Sequence, residues 1–274
     1  MTKSEKLHGI LKQGAIHTFQ NNAVCFLPGD RYPKSSAGDS FQGYIQDKLK
    51  RFGGGYKRIV RLFSPVLRSP EAKKILETLL ASQGSESVIL NMGSGPTRLL
   101  NRSDVINVDI FAFNEVDLVA DVMDLPVEDN RVDLVINTAL LEHIDQPGIA
   151  VAEMHRILKP GGIAFCYVPF MVPFHAAPQD FHRWTHAGAT RLFEPFFENI
   201  TSGIGAGPTS GLLWVLQEWL ALLLCFGNRR LHDMLFLFFM LCLSPIKLID
   251  YYLIHMPDAD KICSGFYIVG KKRL

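Results

Sequence analysis

Two glycines and one aspartate are the first residues whose types and spacing could bind a ligand. Gly93 and Gly95 lie in a turn that directly follows the apolar run 88–90. Glycine adopts positive φ without strain and lets backbone N–H groups approach a ligand closely. Asp109 lies eighteen residues beyond Asn91, after a second apolar run, and a carboxylate there can accept hydrogen bonds from both hydroxyls of a ribose. Together these residues indicate a site for a ligand that contains adenosine.

The same residues do not by themselves separate a dinucleotide from another adenosine ligand. A dinucleotide fingerprint has glycine at the sixth position of its turn, where the helix packs closely on the strand. This chain has Arg98 at that position. Arg98 therefore argues against a pyrophosphate site, and an NAD-dependent enzyme is kept as an alternative.

The elements around these residues predict an α/β fold. Residues 69–71 are typical of a helix start, with an N-cap serine, then proline and an acid. A second helix has its apolar face between residues 150 and 158 and should stop at Pro160-Gly161-Gly162. A third begins at the N-cap Thr185. Strands alternate with these helices, which predicts a mostly parallel sheet covered on both faces. The predicted strands are 88–90, 105–108, 116–120, 132–136, 163–168 and 264–271.

Three further motifs follow in order along the chain. They are Asp121-Val122-Met123-Asp124-Leu125-Pro126, Leu141-Glu142-His143-Ile144 and Leu158-Lys159-Pro160-Gly161-Gly162. With the glycine turn and Asp109, this ordered set resembles the class I S-adenosylmethionine-dependent methyltransferases, in particular the small-molecule group with a DLP…LEH…LKPGG signature. The resemblance spans roughly residues 86–202. It implies a Rossmann-like seven-stranded methyltransferase fold whose last strand is antiparallel, which the run 264–271 fits.

The resemblance also implies S-adenosyl-L-methionine as the cofactor and a role for each matching position. Gly93 and Gly95 would pass the backbone beneath the methionine part, and Asp109 would hold the ribose diol. Asp121 would accept a hydrogen bond from the adenine amine. The N–H of Val122 would meet the adenine ring.

Asn137, at the end of the fourth strand, would lie near the methionine end and the reacting methyl group. Two positions depart from the family: Asn91 stands where Asp or Glu is usual, and Thr97 where glycine is frequent. An asparagine can accept a hydrogen bond but does not offset the cofactor's ammonium charge. Charged hydrogen bonds exceed neutral ones by roughly 1 kcal/mol, so we expect the affinity to be several-fold weaker, but not lost.

Histidines beyond the fifth strand are the candidates for removing a proton from an acceptor. His175 and His182 lie in a loop that commonly faces the acceptor in the family, and Asp180 could orient either of them. His143 is a further candidate, although a histidine there more often caps and packs its helix. A general base is needed only for a hydroxyl or a protonated amine, because the sulfonium methyl is already activated. No metal site is expected.

Two apolar runs, 212–226 and 234–243, precede the last strand. Both are shorter than the roughly 20 apolar residues of a membrane span. We expect a helical hairpin inserted at about 209–255. In the seven-stranded fold that the resemblance implies, this place lies between the sixth and seventh strands, and 264–271 is the seventh. It could cover the sheet, form a homodimer, or dip into one leaflet of a membrane with Arg229 and Arg230 near anionic headgroups.

Length and composition bound the remaining possibilities. The chain has 274 residues, which suits one large domain at 69–274 behind an N-terminal extension at 1–68. Its 28 basic and 27 acidic residues argue against nucleic acid as a partner, and 48% hydrophobic residues exclude disorder. Five cysteines without metal-like spacing indicate a reducing compartment. The N-terminus has no secretory apolar stretch, so we expect a cytoplasmic location.

The charges are nevertheless unevenly distributed. Residues 48–74 carry nine bases and one acid, whereas residues 104–133 carry nine acids and one base. Each block is most simply a solvated face, and the basic one could instead face an anionic substrate or the inner face of a membrane. A short helix is predicted over 40–51, within the N-terminal extension.

Taken together, the residues predict an S-adenosylmethionine-dependent methyltransferase for a small-molecule, glycan or lipid-linked acceptor. The loops around His175 and His182 also resemble those of methyltransferases from bacterial cell-surface polysaccharide and lipid pathways. Besides the NAD-dependent enzyme, one alternative is a membrane-associated, non-catalytic protein that retains the fold. Asn91 and the apolar hairpin are the support for that alternative.

Overall fold

The computed structural model describes residues 2–14, 18–20, 23–26, 64, 66–95, 102–176 and 178–274. The predicted helix over 40–51, most of the basic block 48–74, Thr97 and Arg98 lie outside the described residues.

A sheet of nine strands forms the centre of the described part of the chain. In chain order the strands are β1 Thr18–Gln20, β2 Ala23–Cys25, β3 Ile89–Met92, β4 Ile106–Asp109, β5 Leu118–Val119, β6 Val132–Thr138, β7 Leu158–Pro169, β8 Glu198–Ala206 and β9 Gly265–Lys271. Across the sheet the order is β1-β2-β5-β4-β3-β6-β7-β9-β8. Every pair from β2 to β7 is parallel, whereas β9 runs antiparallel to β7 and β8.

This strand order confirms the predicted Rossmann-like α/β fold and its antiparallel last strand. The chain moves outward from β3 to β5 on one side and from β6 to β7 on the other, so the switch point lies between β3 and β6. In such a sheet the carboxyl ends of parallel strands share one edge, and ligands bind beyond that edge at the switch point.

Helices pack on both faces of the sheet. They are α1 Lys3–Ile10, α2 Pro70–Ala81, α3 Pro147–Ile157 and α4 His186–Phe193. Leu76 of α2 packs in a cluster with Ile89, and Met154 of α3 packs in another with Leu90. Because neighbouring residues of a strand point to opposite faces, the two helices lie on opposite sides of β3.

The predicted starts of α2 and α4 are confirmed by their N-caps. The hydroxyl of Ser69 accepts a hydrogen bond from the N–H of Ala72 at 3.1 Å. The hydroxyl of Thr185 accepts one from the N–H of Gly188, also at 3.1 Å. Each cap satisfies an N–H group that has no partner within its helix.

The boundary predicted between α3 and the next strand is wrong. The helix ends at Ile157, and β7 already begins at Leu158. The pairing of β7 with β6 shifts register after Leu158, so the residues before Ile163 bulge out of the ladder. The Pro-Gly-Gly segment therefore lies within the strand, where its glycines serve this bulge, and it does not end the helix.

The N-terminal residues contribute to the same sheet and core. Leu7 and Ile10 of α1 lie in the main hydrophobic cluster, and β2 pairs with β5. The fully buried ammonium of Lys6 donates to the carbonyl of Ser87 at 2.7 Å and to Asp104 at 3.1 Å. A division at residue 69 therefore separates elements that pack together. β1 and β2 are three residues each, too short for an alternating pattern to reveal them.

The segment between β8 and β9 is helical. It comprises α5 Pro208–Leu224, α6 Arg229–Leu243, a 3-10 turn Ser244–Ile249 and α7 Asp250–Leu253. The carboxylate of Asp250 accepts from the N–H groups of Thr209 and Ser210 at 2.7 and 2.9 Å, and from the Ser210 hydroxyl at 2.6 Å. A negative charge is favourable at a helix N-terminus. Asp250 thus ties the end of the hairpin to its beginning.

Gly211 is the point at which α5 comes closest to the loop after β7. A Cβ atom at this position would lie only 2.3 Å from the carbonyl oxygen of Met171. Atoms do not approach that closely without a shift of the backbone, so the contact requires glycine.

One helical stretch of the described residues, Arg229–Leu253, is long and apolar enough to cross a membrane by length and composition. The second apolar run, 234–243, is itself as short as expected, but it lies within this longer helical stretch. Its helix continues through the 3-10 turn into α7, past the end of the apolar run. Only 17% of the most apolar part of this stretch is buried. Large apolar side chains stay exposed on the hairpin: Leu212, Val215, Trp219, Leu222, Leu223, Phe226, Met234, Phe238 and Leu241.

Replacing Asp250 by alanine tests the anchoring of the hairpin. We expect Asp250→Ala to lower the free energy of unfolding by about 3 kcal/mol, because it leaves two buried N–H groups of α5 without an acceptor. Urea denaturation followed by circular dichroism measures the change. Asp260→Ala, at an exposed aspartate, is the matched control and should cost less than about 0.5 kcal/mol. Equal stability of the two variants would contradict the anchoring role.

Candidate active site

The turn after β3 has the conformation that the glycine pattern predicts. Gly93 has a φ of 69° and Gly95 a φ of 65°, which residues with a Cβ atom rarely adopt. A Cβ on Gly93 would lie 2.9 Å from the side chain of Leu140, which follows β6. A Cβ on Gly95 would have no atom of the described residues within 4 Å, its two chain neighbours aside. Among the described residues, the turn is therefore packed on the Gly93 side and open on the Gly95 side.

Asp109 ends β4, and its carboxylate holds the open side of this turn. One carboxylate oxygen accepts from the N–H of Gly95 at 2.8 Å, and the other from the N–H of Phe111 at 3.0 Å. Burial raises the pKa of Asp109, although these N–H groups act in the opposite direction. The carboxylate lies where the sequence predicts a ribose contact, and the contact itself stays a prediction.

The structure gives a physical reason for asparagine at position 91. Asn91 lies beside Asn107 on the neighbouring strand, and its amide nitrogen donates to the Asn107 side-chain oxygen at 3.1 Å. The amide nitrogen of Asn107 is already used by the carbonyl of Glu115, at 3.0 Å. Position 91 must therefore supply a hydrogen-bond donor, which an ionised aspartate or glutamate lacks.

Asp121 and Val122 follow the end of β5, whereas Asn137 lies within β6, one residue before its end. Asp121 accepts from the N–H of Met123 at 2.9 Å and shapes the turn after β5, while Val122 packs in the main core. Asn137 is completely buried in β6, and both polar atoms of its side chain have no hydrogen-bond partner among the described residues. A buried amide without partners is costly, and this one fits a ligand that binds beside it.

A second group of polar residues follows β6 and β7. Glu142 lies in a 3-10 turn, Leu141–His143, and its side chain is fully buried. The Nε2 atoms of His175 and His143 lie 3.6 and 3.9 Å from the same carboxylate oxygen of Glu142. Burial lowers the pKa of His175, but Glu142, the Pro173 carbonyl and Asp180 together raise it above its usual range.

Asp180 orients His175 by holding its backbone. The carboxylate accepts from the His175 N–H at 2.7 Å and pairs with both terminal nitrogens of Arg183, at 2.5 and 2.6 Å. Burial raises the pKa of Asp180, but Arg183 and the His175 N–H bring it down to about 2. Arg183 also donates to the carbonyl of Pro173 at 2.7 Å, so a single guanidinium fixes the loop.

His182 is set apart from this group. Its Nε2 atom contacts the carbonyl of Asp145 at 3.3 Å, and its ring packs 5.2 Å from that of Trp184. Of the four candidates for acid–base chemistry, the structure thus brings together His143, His175 and Asp180.

Three residues of this region were not found from the sequence. Glu142 is the shared neighbour of the two imidazoles, Arg183 fixes the loop, and the ring of Trp214 lies 5.3 Å from that of His175. Trp214 belongs to α5, so the hairpin forms one wall of the site. The position of Glu142 beside His143 in the motif is the one sequence feature that indicates it as a site residue. The motif alone does not indicate that its side chain is buried.

Comparisons with known proteins show what the chain is similar to in sequence and fold. Residues 91–166 match the family model described as a methyltransferase domain. They include the end of β3, all of β4 to β6 and much of β7. This central segment of the sheet is therefore similar to a methyltransferase domain.

Demethylmenaquinone methyltransferase from Staphylococcus carnosus is 50% identical to the chain over 46 residues, which are 17% of this chain and 19% of that one. Among solved structures, phosphoethanolamine N-methyltransferase 2 from Haemonchus contortus, in complex with S-adenosyl-L-methionine, aligns with a TM-score of 0.50 and 14% identity. That alignment covers 74% of this chain and 52% of the other. The methyltransferase fold is therefore shared, while the chain spans only about half of that relative and a fifth of the curated one.

A further structure is similar over more of its length. The 1,6-didemethyltoxoflavin-N1-methyltransferase from Burkholderia thailandensis, with bound 1,6-didemethyltoxoflavin and S-adenosylhomocysteine, aligns with a TM-score of 0.47 and 15% identity. The alignment covers 88% of this chain and 92% of that one.

The guanidinium of Arg183 provides a test of how the loop beside His175 is held. We expect Arg183→Lys to lower the free energy of unfolding by about 2 kcal/mol, because one ammonium cannot bind both oxygens of Asp180 and the Pro173 carbonyl. Thermal and urea denaturation measure the loss. Arg191→Lys, at an exposed arginine of α4, should leave stability within about 0.5 kcal/mol of the unmodified protein. If other contacts mainly hold the loop, the Arg183 and Arg191 variants should have the same free energy of unfolding, which would contradict the role given to Arg183.

Proposed function

We propose that the protein is an S-adenosylmethionine-dependent methyltransferase for a small-molecule acceptor. The observation that carries this function is the open glycine turn held by Asp109, which lies within the segment that matches the methyltransferase family. The relatives support the same cofactor, since solved methyltransferases of similar fold contain S-adenosyl-L-methionine or S-adenosylhomocysteine.

The residues at the carboxyl edge of the sheet fit this cofactor. Asp109 is the residue for the ribose hydroxyls, and the turn of Gly93 and Gly95 is the backbone surface for the methionine part. Asp121 and Val122 are the residues for the adenine. The buried amide of Asn137, without partners among the described residues, supplies both a donor and an acceptor toward the same edge.

The cofactor, when bound, supplies an electrophilic methyl group on a sulfonium. The chain must then exclude water and hold the acceptor atom in line with that group, because positioning supplies most of the rate of such a displacement. Trp214, Glu142 and His175 form the acceptor side. The apolar ring of Trp214 keeps water away, and the polar pair beside it can bind a hydroxyl or an amine.

Removing the carboxylate of Asp109 tests the cofactor assignment. We expect Asp109→Ala to weaken S-adenosylmethionine binding about a hundredfold, or roughly 3 kcal/mol, because two charge-assisted hydrogen bonds to the ribose are lost. Isothermal titration calorimetry with S-adenosylhomocysteine measures the affinity. Asp124→Ala removes an aspartate that is 90% exposed and should leave the affinity unchanged. A folded Asp109 variant with full affinity would overturn the assignment.

We further propose that the hairpin binds the surface of an anionic membrane. Trp219 of α5 is 56% exposed, and Phe226, two residues beyond the end of that helix, is 88% exposed. Exposed apolar patches of this size are rare on soluble monomers. The exposed residues Arg229 and Arg230 lie at the turn between the two helices, and the basic block 48–74 adds charge in the sequence. These features support a hairpin that lies in the plane of the headgroups, with the arginines on phosphate.

This orientation favours an acceptor that is itself attached to lipid. Trp214, on the inner side of α5, contacts His175, while Val215, the next residue, is exposed to the outside. A lipid-linked glycan at the inner face of the cytoplasmic membrane could therefore reach the site along the same helix. Transfer of a radioactive methyl group from S-adenosylmethionine to soluble glycans and to lipid-linked glycans distinguishes the two acceptor classes.

Sedimentation with vesicles tests the membrane proposal. We expect the protein to sediment with phosphatidylglycerol vesicles, and high salt to weaken the binding without abolishing it, because apolar contact is insensitive to salt. Replacing Trp219 and Phe226 together by serine should release the protein. Ile149→Ser, at an apolar residue of α3 that is 45% exposed, is the matched control.

The arginines contribute a separate, charge-dependent part. Replacing Arg229 and Arg230 by glutamine should weaken binding about fivefold for each residue, since a basic side chain near an anionic surface adds about 1 kcal/mol. A protein that remains in the supernatant at low salt as a monodisperse dimer would contradict membrane binding. The hairpin would then be a subunit interface.

A further inference from the structure

We propose that Glu142, His143 and His175 bind a divalent transition-metal ion. One ligand atom of each residue lies within 4.8 Å of the other two. Two imidazoles and one carboxylate are the donor set of many zinc and non-haem iron sites. The spacing of these residues does not predict a metal site, because the first two are adjacent and the third lies 32 residues further along.

Both imidazoles present the correct nitrogen to such an ion. The Nδ1 atom of His143 lies 2.6 Å from the carbonyl of Gln179, and that of His175 lies 2.9 Å from the carbonyl of Pro173. A carbonyl only accepts, so Nδ1 of His143 carries the proton and its Nε2 carries the lone pair. At Nδ1 of His175 the Pro173 carbonyl is nearer than the Arg183 nitrogen, which lies 3.3 Å away, and this favours the same tautomer. Both Nε2 atoms then face Glu142. Metal-binding histidines commonly donate their second nitrogen to a carbonyl in this way.

The distances to Glu142 favour a shared ion over direct hydrogen bonds. The two Nε2 atoms lie 3.6 and 3.9 Å from one carboxylate oxygen, beyond the range of an N–H···O bond. Two ligands that each lie about 2.1 Å from one ion are separated by about 3.4 to 3.6 Å at tetrahedral or trigonal angles. Both distances from an imidazole nitrogen to the carboxylate oxygen lie within a few tenths of an ångström of this range.

Apart from the two imidazoles, no hydrogen-bonding group of the described residues compensates the charge of Glu142. Its side chain is fully buried, and neither carboxylate oxygen has a hydrogen-bond partner among the described residues. Burying an unpaired carboxylate is costly. The guanidinium of Arg183, on the same loop as His175, is paired with Asp180 through two hydrogen bonds. A cation held by Glu142 and the two histidines would remove the imbalance.

Three protein ligands leave coordination positions open, as in catalytic rather than structural metal sites. The site follows the carboxyl ends of β6 and β7, and Leu140, two residues before Glu142, packs against Gly93 of the cofactor turn. Provided that the proposed methyl transfer is correct, the open positions face the acceptor and favour one that offers an oxygen atom. The metal site itself depends only on the three side chains.

Metal binding can be measured without any acceptor. The full chain carrying Cys242→Ser, which removes an exposed thiol, is treated with EDTA, dialysed and titrated with Zn²⁺ by calorimetry. We expect one ion per chain. Glu142→Gln and His175→Ala should each weaken binding about 100-fold or more, because each removes one of three ligands. Co²⁺ in place of Zn²⁺ should give visible absorption bands that are lost in the same variants. His186→Ala and Glu194→Gln, at exposed positions, are the matched controls and should bind as the parent does.

Thermal unfolding separates a metal ligand from a merely structural glutamate. As a ligand, Glu142 is an unpaired buried charge in the metal-free protein, so Glu142→Gln should melt at the parent's temperature or above it without metal. Zn²⁺ should then raise the melting temperature of the parent and not that of the variant. The metal site would be overturned if the parent bound no Zn²⁺. It would also be overturned if all variants bound Zn²⁺ as tightly as the parent does. Calorimetry with S-adenosylhomocysteine on the same proteins shows independently whether the cofactor site is intact.

Discussion

Parallel pairing of β3 with β4 and with β6 is the constraint on which the rest of the structure depends. It brings the ends of three strands to one edge, although the residues that follow them are far apart in sequence. The N–H groups of Gly93 and Ser94 complete this pairing by donating to the carbonyl of Val108, at 2.9 and 3.1 Å. A turn held in this way presents its backbone to a ligand without a change of conformation, which lowers the cost of binding.

The acceptor side is built from parts that do not belong to the sheet. The loop after β7 supplies His175, the 3-10 turn after β6 supplies Glu142, and α5 supplies Trp214. Two aspartates fix these parts in place. Asp180 holds the loop, and Asp250 of α7 binds the first N–H groups of α5. Both are almost completely buried and accept several hydrogen bonds, so each acts as a charged clamp in a region of low dielectric. The cofactor side and the acceptor side are thus stabilised by different means.

The sequence predicted what local patterns determine. The N-caps Ser69 and Thr185 and the parallel strand order follow from residue types and spacing, and the glycine turn follows from the need for positive φ. The pattern failed where contacts between distant residues decide. The bulge in β7 depends on its neighbours, and the donor required at Asn91 depends on how Asn107 is already bonded. The burial of Glu142 likewise depends on a loop more than thirty residues away.

Gly211 determines the width of the acceptor side, which the polar residues of the site do not. The absence of a side chain there allows α5 to lie directly on the carbonyl of Met171, and three residues later Trp214 reaches His175. The separation between the hairpin and the loop, and with it the width of the space beside His175, is set by one missing methyl group. Related chains with alanine at this position would need to move the hairpin outward. They would then have a wider site for a bulkier acceptor, with every polar residue of the site unchanged.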